Sequence, residues 1–242
     1  MAVLLTACQV TTQPEFTEKK LTQTLVKIGV NNQIVKQTNQ VIIVQSKRWR
    51  DKKGKCYLFE RKKDQFKFVK SFPIVLGRNG MKWGKGLHHV DSANIKQEGD
   101  GATPAGVFWL GEAFGNEVIT LLEKWPFRKT SQYDYFIDDS NSAYYNAWVD
   151  SRVVTKDWSS FEYMLREDGL YNRGVIIQHN MDPVKPLFGS AIFFHIWKHK
   201  NAGTAGCTAS SKHNIETLLH WLKKDRQPLV IQLPKSYLEK LL

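Results

Sequence analysis

Val41-Ile42-Ile43-Val44, Cys56-Tyr57-Leu58-Phe59-Glu60, Phe66-Lys67-Phe68-Val69 and Phe72-Pro73-Ile74-Val75-Leu76 follow one another within forty residues and decide the fold class. Each is a short apolar or alternating segment rich in β-branched and aromatic side chains, and polar residues separate it from the next. That spacing predicts meandering, antiparallel β structure. Two basic clusters flank the segments, Lys47-Arg48-Trp49-Arg50-Asp51-Lys52-Lys53 and Arg61-Lys62-Lys63. They read as hairpin turns and edge protection rather than as a binding groove, so no nucleic-acid partner is expected.

Downstream, Gly77, Gly80, Gly84 and Gly86 mark an irregular loop. It is not a phosphate cradle, because Gly84-Lys85 is followed by Gly86 where a P-loop needs Ser or Thr. The turn-rich block Lys96-Gln97-Glu98-Gly99-Asp100-Gly101-Ala102-Thr103-Pro104-Ala105-Gly106-Val107-Phe108 leads into a strand. Ser159-Ser160-Phe161-Glu162 matches a capping box and predicts a helix over 160–168, ended by Gly169. Residues 174–179 and 189–197 read as strands, the second buried by composition. Ser210 or Ser211 caps a final helix whose Ile215, Leu218, Leu219 and Leu222 share one face, and 229–233 is a last strand. Upstream, Leu21, Leu25 and Ile28 predict a short helix within 17–31. The fold class is therefore mainly β with a few helices.

The chain has 242 residues, 42% hydrophobic and 24% charged, which suits one globular domain with a short extension. Its net charge of +12 fits an acidic polymer without identifying one. No apolar run is long enough for a membrane-spanning helix. The three cysteines, Cys8, Cys56 and Cys207, are not a disulfide framework. Cys56 sits in an alternating run and is expected to be a buried structural thiol. Leu5-Thr6-Ala7-Cys8 resembles a lipoprotein lipobox, although no cationic region and only a short apolar run precede it. The organisation expected is a truncated lipoprotein-type leader over 1–8 with Cys8 lipidated, a tether or short helix over 9–38, and a catalytic domain over 39–242. A lipid on Cys8 would associate the protein with the outer membrane.

The chemistry-bearing block is Phe194-His195-Ile196-Trp197, a polar loop, and then Gly203-Thr204-Ala205-Gly206-Cys207-Thr208. A histidine beside a thiol can take its proton and raise the reactive fraction. A helix starting just after Cys207 would favour thiolate. Gly206 lets amide N–H groups converge on an oxyanion. Two other readings compete. Free cysteine is commonly a buried core residue. His195 and His199, four apart on a strand, with Cys207 and His179, form a conceivable zinc set and so a metal-dependent peptidase, although no known zinc signature fits.

Ile192-Phe193-Phe194-His195 and Thr204-Ala205-Gly206-Cys207 together resemble the core of the L,D-transpeptidase catalytic domain family, the YkuD type. Glu98-Gly99-Asp100-Gly101-Ala102-Thr103-Pro104-Ala105-Gly106-Val107-Phe108 is similar to that family's Asp-x-x-Thr-Pro-x-Gly-x-Phe strand entry. Asp138-Asp139-Ser140, Tyr145-Asn146 and His179-Asn180 are similar to a divergent branch of it. The resemblance covers about 41–230 and implies a YkuD-like β-sandwich or barrel. It implies Cys207 as nucleophile, His195 as base, and the N–H groups of Gly206 and Cys207 at the oxyanion. It implies a thioester formed on peptidoglycan stem peptides in the periplasm with loss of terminal D-alanine. The acceptor would be an amine or water, and no metal or organic cofactor is implied. Ala205 replaces the second histidine of the common pattern, and Ala209 replaces a frequent Asn or Arg, so substrate positioning differs. His179, Thr204, Asp139 and Tyr145 are candidates for that positioning. The loop over 77–86 and the stretch 138–145 are candidate walls or lids. The two alanines leave room for a third reading, a non-catalytic wall-binding lipoprotein.

Overall fold

The computed structural model describes residues 16–89, 93–117 and 125–241. The leader expected over 1–8, Cys8 and the start of the tether lie outside those residues.

In chain order the elements are β1 (Phe16–Thr17), α1 (Glu18–Val26), α2 (Asn32–Gln37), β2 (Gln40–Ser46), β3 (Lys53–Lys62), β4 (Gln65–Val75) and β5 (Met81–Trp83). Next come β6 (Thr103–Gly115), β7 (Phe127–Lys129), β8 (Asp134–Ile137), β9 (Trp148–Asp150), β10 (Phe161–Tyr163) and β11 (Gly174–Ile177). The chain finishes with β12 (Phe193–Ile196), β13 (Thr208–Ser210), α3 (Lys212–Trp221), β14 (Leu229–Gln232) and α4 (Lys235–Leu241).

The four opening segments become the meander β2-β3-β4, antiparallel from Gln40↔Glu60 onward. Neighbours then run β4-β13-β12-β11-β6-β14-β2-β3, and β3 pairs with β4, so the main sheet closes on itself as a barrel-like sandwich. Closure removes exposed strand edges. β2 lies between β3 and β14, which explains why Val41–Val44 reads as a continuous apolar run instead of an alternation. The mainly β fold read from the sequence is the fold observed.

Pleating divides the interior in two. Val175, Ile177 and Phe194 point to the main core, which also holds Ile42, Leu58, Phe108 and Val230. Their neighbours Ile176 and Phe193 point to the opposite face, into a second cluster with Phe114, Phe136, Met164, Tyr171 and Cys207. Successive strand residues face opposite sides, so β11 and β12 serve both clusters. α1 buries Leu21 and Leu25 on the main core, and α3 buries Ile215, Leu218 and Leu219 there. Each such side chain contributes on the order of 1.5–3 kcal/mol of transfer free energy. Beside the second cluster, β8, β9 and β10 form a separate three-stranded sheet.

Two sequence expectations are corrected. Residues 160–168 are not a helix: Phe161–Tyr163 pairs with β8, and the hydroxyls of Ser159 and Ser160 bond the carboxylates of Asp139 and Asp138 instead of capping a helix. Phe161, Met164 and Leu165 do stand at helical spacing, but pairing with β8 prevails over that local pattern. The helix after Cys207 begins only at Lys212, with Ser211 as cap and β13 intervening, so its dipole does not reach the thiol. β12 and β13 run parallel, Phe194↔Thr208 and His195↔Ala209, so the closed sheet is mixed, while the β2-β3-β4 meander is antiparallel as expected. The loop over 77–86 also contains β5, paired parallel to Thr103–Ala105.

Candidate active site

Parallel pairing of β12 with β13 brings His195 and Cys207 to one end of the second cluster. Both line a cavity of about 360 Å³.

Cys207 is almost fully buried. Its Sγ accepts the Phe193 N–H at 3.3 Å and donates to the Ala191 carbonyl at 3.4 Å. Burial pushes the thiol up to about 12, against the Phe193 N–H and the field of Lys96, which act in the other direction. At rest the group is a protonated thiol. Ala191 is itself held in the left-handed region, φ 51°, with its N–H on Asn146 Oδ1 at 3.1 Å. Asn146, also at positive φ, donates its amide to the carbonyls of His179 and Asn180. Such backbone strain persists only where surrounding contacts impose it.

The loop that carries Cys207 is tied by its own hydrogen bonds. The Cys207 carbonyl accepts the hydroxyls of Thr204 at 2.6 Å and Thr103 at 3.1 Å. The Gly206 N–H donates to Thr204 Oγ1 at 3.1 Å, so at rest it is engaged by the loop and does not point at an oxyanion. Thr103 belongs to the Thr-Pro motif, and its hydroxyl also accepts the Gly77 N–H.

His195 packs edge-on against Tyr171, ring centroids 5.1 Å apart. Its Nδ1 lies 2.8 Å from the Ile196 carbonyl oxygen. A carbonyl oxygen only accepts, so Nδ1 carries the proton and Nε2 keeps its lone pair. Burial lowers the imidazole to about 4, which keeps it neutral. No hydrogen bond joins it to Cys207 at rest; thiol and imidazole are both uncharged.

The remaining candidates separate. Thr204 lines the cavity. Tyr145 stands behind it, its hydroxyl donating to Glu98, whose same oxygen takes Ser190 Oγ at 2.7 Å. Asp139 is not brought to the cavity. Its carboxylate caps Asn141 and Ser159, and those N–H groups hold it at about 2. The neighbouring Asp138 lines the cavity instead. His179 is fully spent: Nδ1 accepts the Lys85 N–H at 3.2 Å and Nε2 donates to the Phe188 carbonyl at 2.9 Å. It lines no part of the cavity and does not stand in for the histidine that Ala205 replaces. His199 is exposed in the loop, and no three His, Cys, Asp or Glu side chains among the described residues converge as a metal set. Cys56 lies in the main core, away from Cys207, and both thiols are free. Arg78 and Asp138 bring the two suspected wall segments to the cavity.

Lys96, Glu98, Glu162, Arg166 and Tyr171 also line the cavity and escaped the sequence reading. Lys96 and Glu98 stand at the head of the Thr-Pro block, which was the available signal. Glu162 was hidden in the apparent capping box. Its carboxyl is raised by burial, while Tyr171 and Arg166 hydrogen-bond it.

No curated protein sequence matches the chain. Among solved structures, Bd1075 of Bdellovibrio bacteriovorus is similar at 15% identity and a TM-score of 0.42, over 84% of this chain and 53% of that one. This chain thus spans about half the length of that protein. The family model of the L,D-transpeptidase catalytic domain, YkuD, matches residues 40–231, which run from β2 into β14 and include His195 and Cys207, and the chain belongs to that family.

Proposed function

We propose that the protein is a cysteine acyltransferase acting on peptidoglycan stem peptides, with Cys207 as nucleophile and His195 as base. The observation that carries the reading is the pair itself: a thiol just ahead of β13 and, on the parallel neighbour β12, an imidazole with an unspent nitrogen, both opening into one cavity. Membership of the L,D-transpeptidase family supports the substrate class.

Because both groups rest neutral, the proton moves as the bond forms. Cys207 Sγ attacks the carbonyl before the terminal D-alanine, and His195 Nε2 takes the thiol proton. The Cys207 N–H, joined by that of Gly206 if the Thr204 hydroxyl releases it, holds the oxyanion. The carbon–nitrogen bond then breaks, the imidazolium returns the proton to the leaving amine, and D-alanine departs. An amine or water resolves the thioester. The work takes place in the periplasm, with the protein tethered through a lipid on Cys8.

One observation favours a binding-only protein: the thiol is bonded into the backbone and held far above neutrality. One experiment separates the readings. Tetrapeptide muropeptides are incubated with wild type, His195→Ala and a chelator-treated sample, and mass spectrometry follows D-alanine, new crosslinks and an acyl adduct on Cys207. The proposal predicts an adduct equal to the donor less D-alanine, and no effect of chelator. Binding without any release in wild type would establish the binding-only reading, and release abolished by chelator would establish a metal peptidase.

A further inference from the structure

Lys96 is 3% exposed, yet it lines the same cavity as Cys207. Its ammonium is held by Asp100 Oδ1 at 2.9 Å and the Gln97 carbonyl at 3.2 Å. Asp100 in turn accepts the N–H groups of Gln97 and Ala102, both at 2.9 Å, and pairs with Lys82 at 3.3 Å. Burial alone would raise the Asp100 carboxyl; those N–H groups and Lys96 outweigh it and keep the carboxylate ionised. The aliphatic stem of Lys96 fills the space at Gly189, where an added Cβ would come within 2.8 Å of Cε. The ammonium reaches the nucleophile loop, 3.6 Å from where a Cβ on Gly206 would stand.

An ammonium has three donors, and the two partners named leave one. A buried charge is costly, and an apolar residue would serve packing alone better. The other cations of the cavity are placed differently. Arg166 is committed to Asp168 through two bonds, at 2.9 and 2.6 Å, and Arg78 and Lys198 are exposed. Glu98, Asp138 and Glu162 also line the cavity, so a ligand anion is favoured only beside a cation.

We propose that Lys96, braced by Asp100, binds the free C-terminal carboxylate of the donor peptide and makes the protein selective for donors that end in one. The inference rests on the acyl-transfer reading above and assigns the positioning residue for the leaving amino acid.

The test compares a synthetic tetrapeptide acid with its C-terminal carboxamide, in turnover by wild type and in calorimetric binding to Cys207→Ala. A charge-assisted hydrogen bond corresponds to roughly 10- to 100-fold. Wild type should prefer the acid by about that factor in kcat/KM, mostly through KM, and Cys207→Ala should bind the acid tighter by a similar factor. Lys96→Met should erase the preference by weakening the acid alone, and Lys96→Arg should restore part of it. Equal loss for acid and amide in Lys96→Met would overturn the proposal, since a structural or thiolate-stabilising role acts on both. If Lys96→Met does not fold, equal use of acid and amide by wild type overturns it without any variant. Acid-selective binding without turnover would leave Lys96 in place and remove the catalytic reading. Turnover without selectivity would do the reverse, and neither binding nor turnover would remove both.

Discussion

The main core and the second cluster each bury a cysteine and at least one histidine, and they differ in what those groups have left to give. Cys56 lies in the main core, fully buried, and burial raises its thiol. His88 and His179 both pack on Phe108 of that core. The lone pair of His179 takes the Lys85 N–H, and that of His88 takes the Val107 N–H at 3.1 Å. Neither can accept a proton without breaking a backbone contact. In the second cluster, His195 spends its N–H on Ile196 and keeps its lone pair, and Cys207 opens to the cavity. Burial and shifted acidity are common to both regions. Access and an unspent lone pair distinguish the second.

That contrast can be broken by exchanging the histidines. His195→Ala should lower turnover by roughly 10²- to 10⁴-fold, the range for a general base. His179→Ala should leave the turnover of the folded protein within a few-fold and lower its melting temperature, because the Lys85 N–H and Phe188 carbonyl lose partners. Equal losses of turnover in steady-state assays would erase the distinction.

The next effect is on pH. Folded values of about 4 for His88, about 3 for His179 and about 4 for His195 lie below the usual value near 6.5, with burial as the leading cause each time. Between those values the unfolded chain binds more protons than the folded one. Stability should therefore be full above about pH 6.5 and fall as pH drops toward 4. Denaturant melts across that window measure it, and His179→Phe should flatten the slope. In the proposed mechanism turnover needs neutral His195, so in the folded protein it should rise with pH through about 4 and then level. A rise centred near 6.5 would mean the imidazole is solvated.

A smaller effect sharpens the role of the loop tie. Thr103→Val removes the hydroxyl shared by the Cys207 carbonyl and Gly77 N–H. It should cost about 1–3 kcal/mol in chemical denaturation and slow turnover, whereas Thr217→Val, whose hydroxyl bonds only the His213 carbonyl within α3, should do neither.

The barrel meander was legible because its pattern is local: apolar segments of strand length, separated by polar turns. The helix expected over 160–168 failed for the same reason in reverse. Ser159 and Ser160 carry a local capping signal, but their hydroxyls are claimed by Asp138 and Asp139, some twenty residues away in sequence. Cys207 and His195 were visible because they lie close in the chain with distinctive neighbours. Lys96, Glu98 and Glu162 reach the cavity only through sheet closure and the β8–β10 sheet, and no spacing rule encodes that. Thr103 was quoted in a motif, yet its bond to the Cys207 carbonyl spans 104 positions.

The most direct test measures D-alanine released from a tetrapeptide donor by wild type, Cys56→Ala and Cys207→Ala side by side. Cys56→Ala should match wild type within about two-fold while losing about 1 kcal/mol of stability, and Cys207→Ala should release none. Release by Cys207→Ala, or equal loss in both variants at equal folded fraction, would contradict the account.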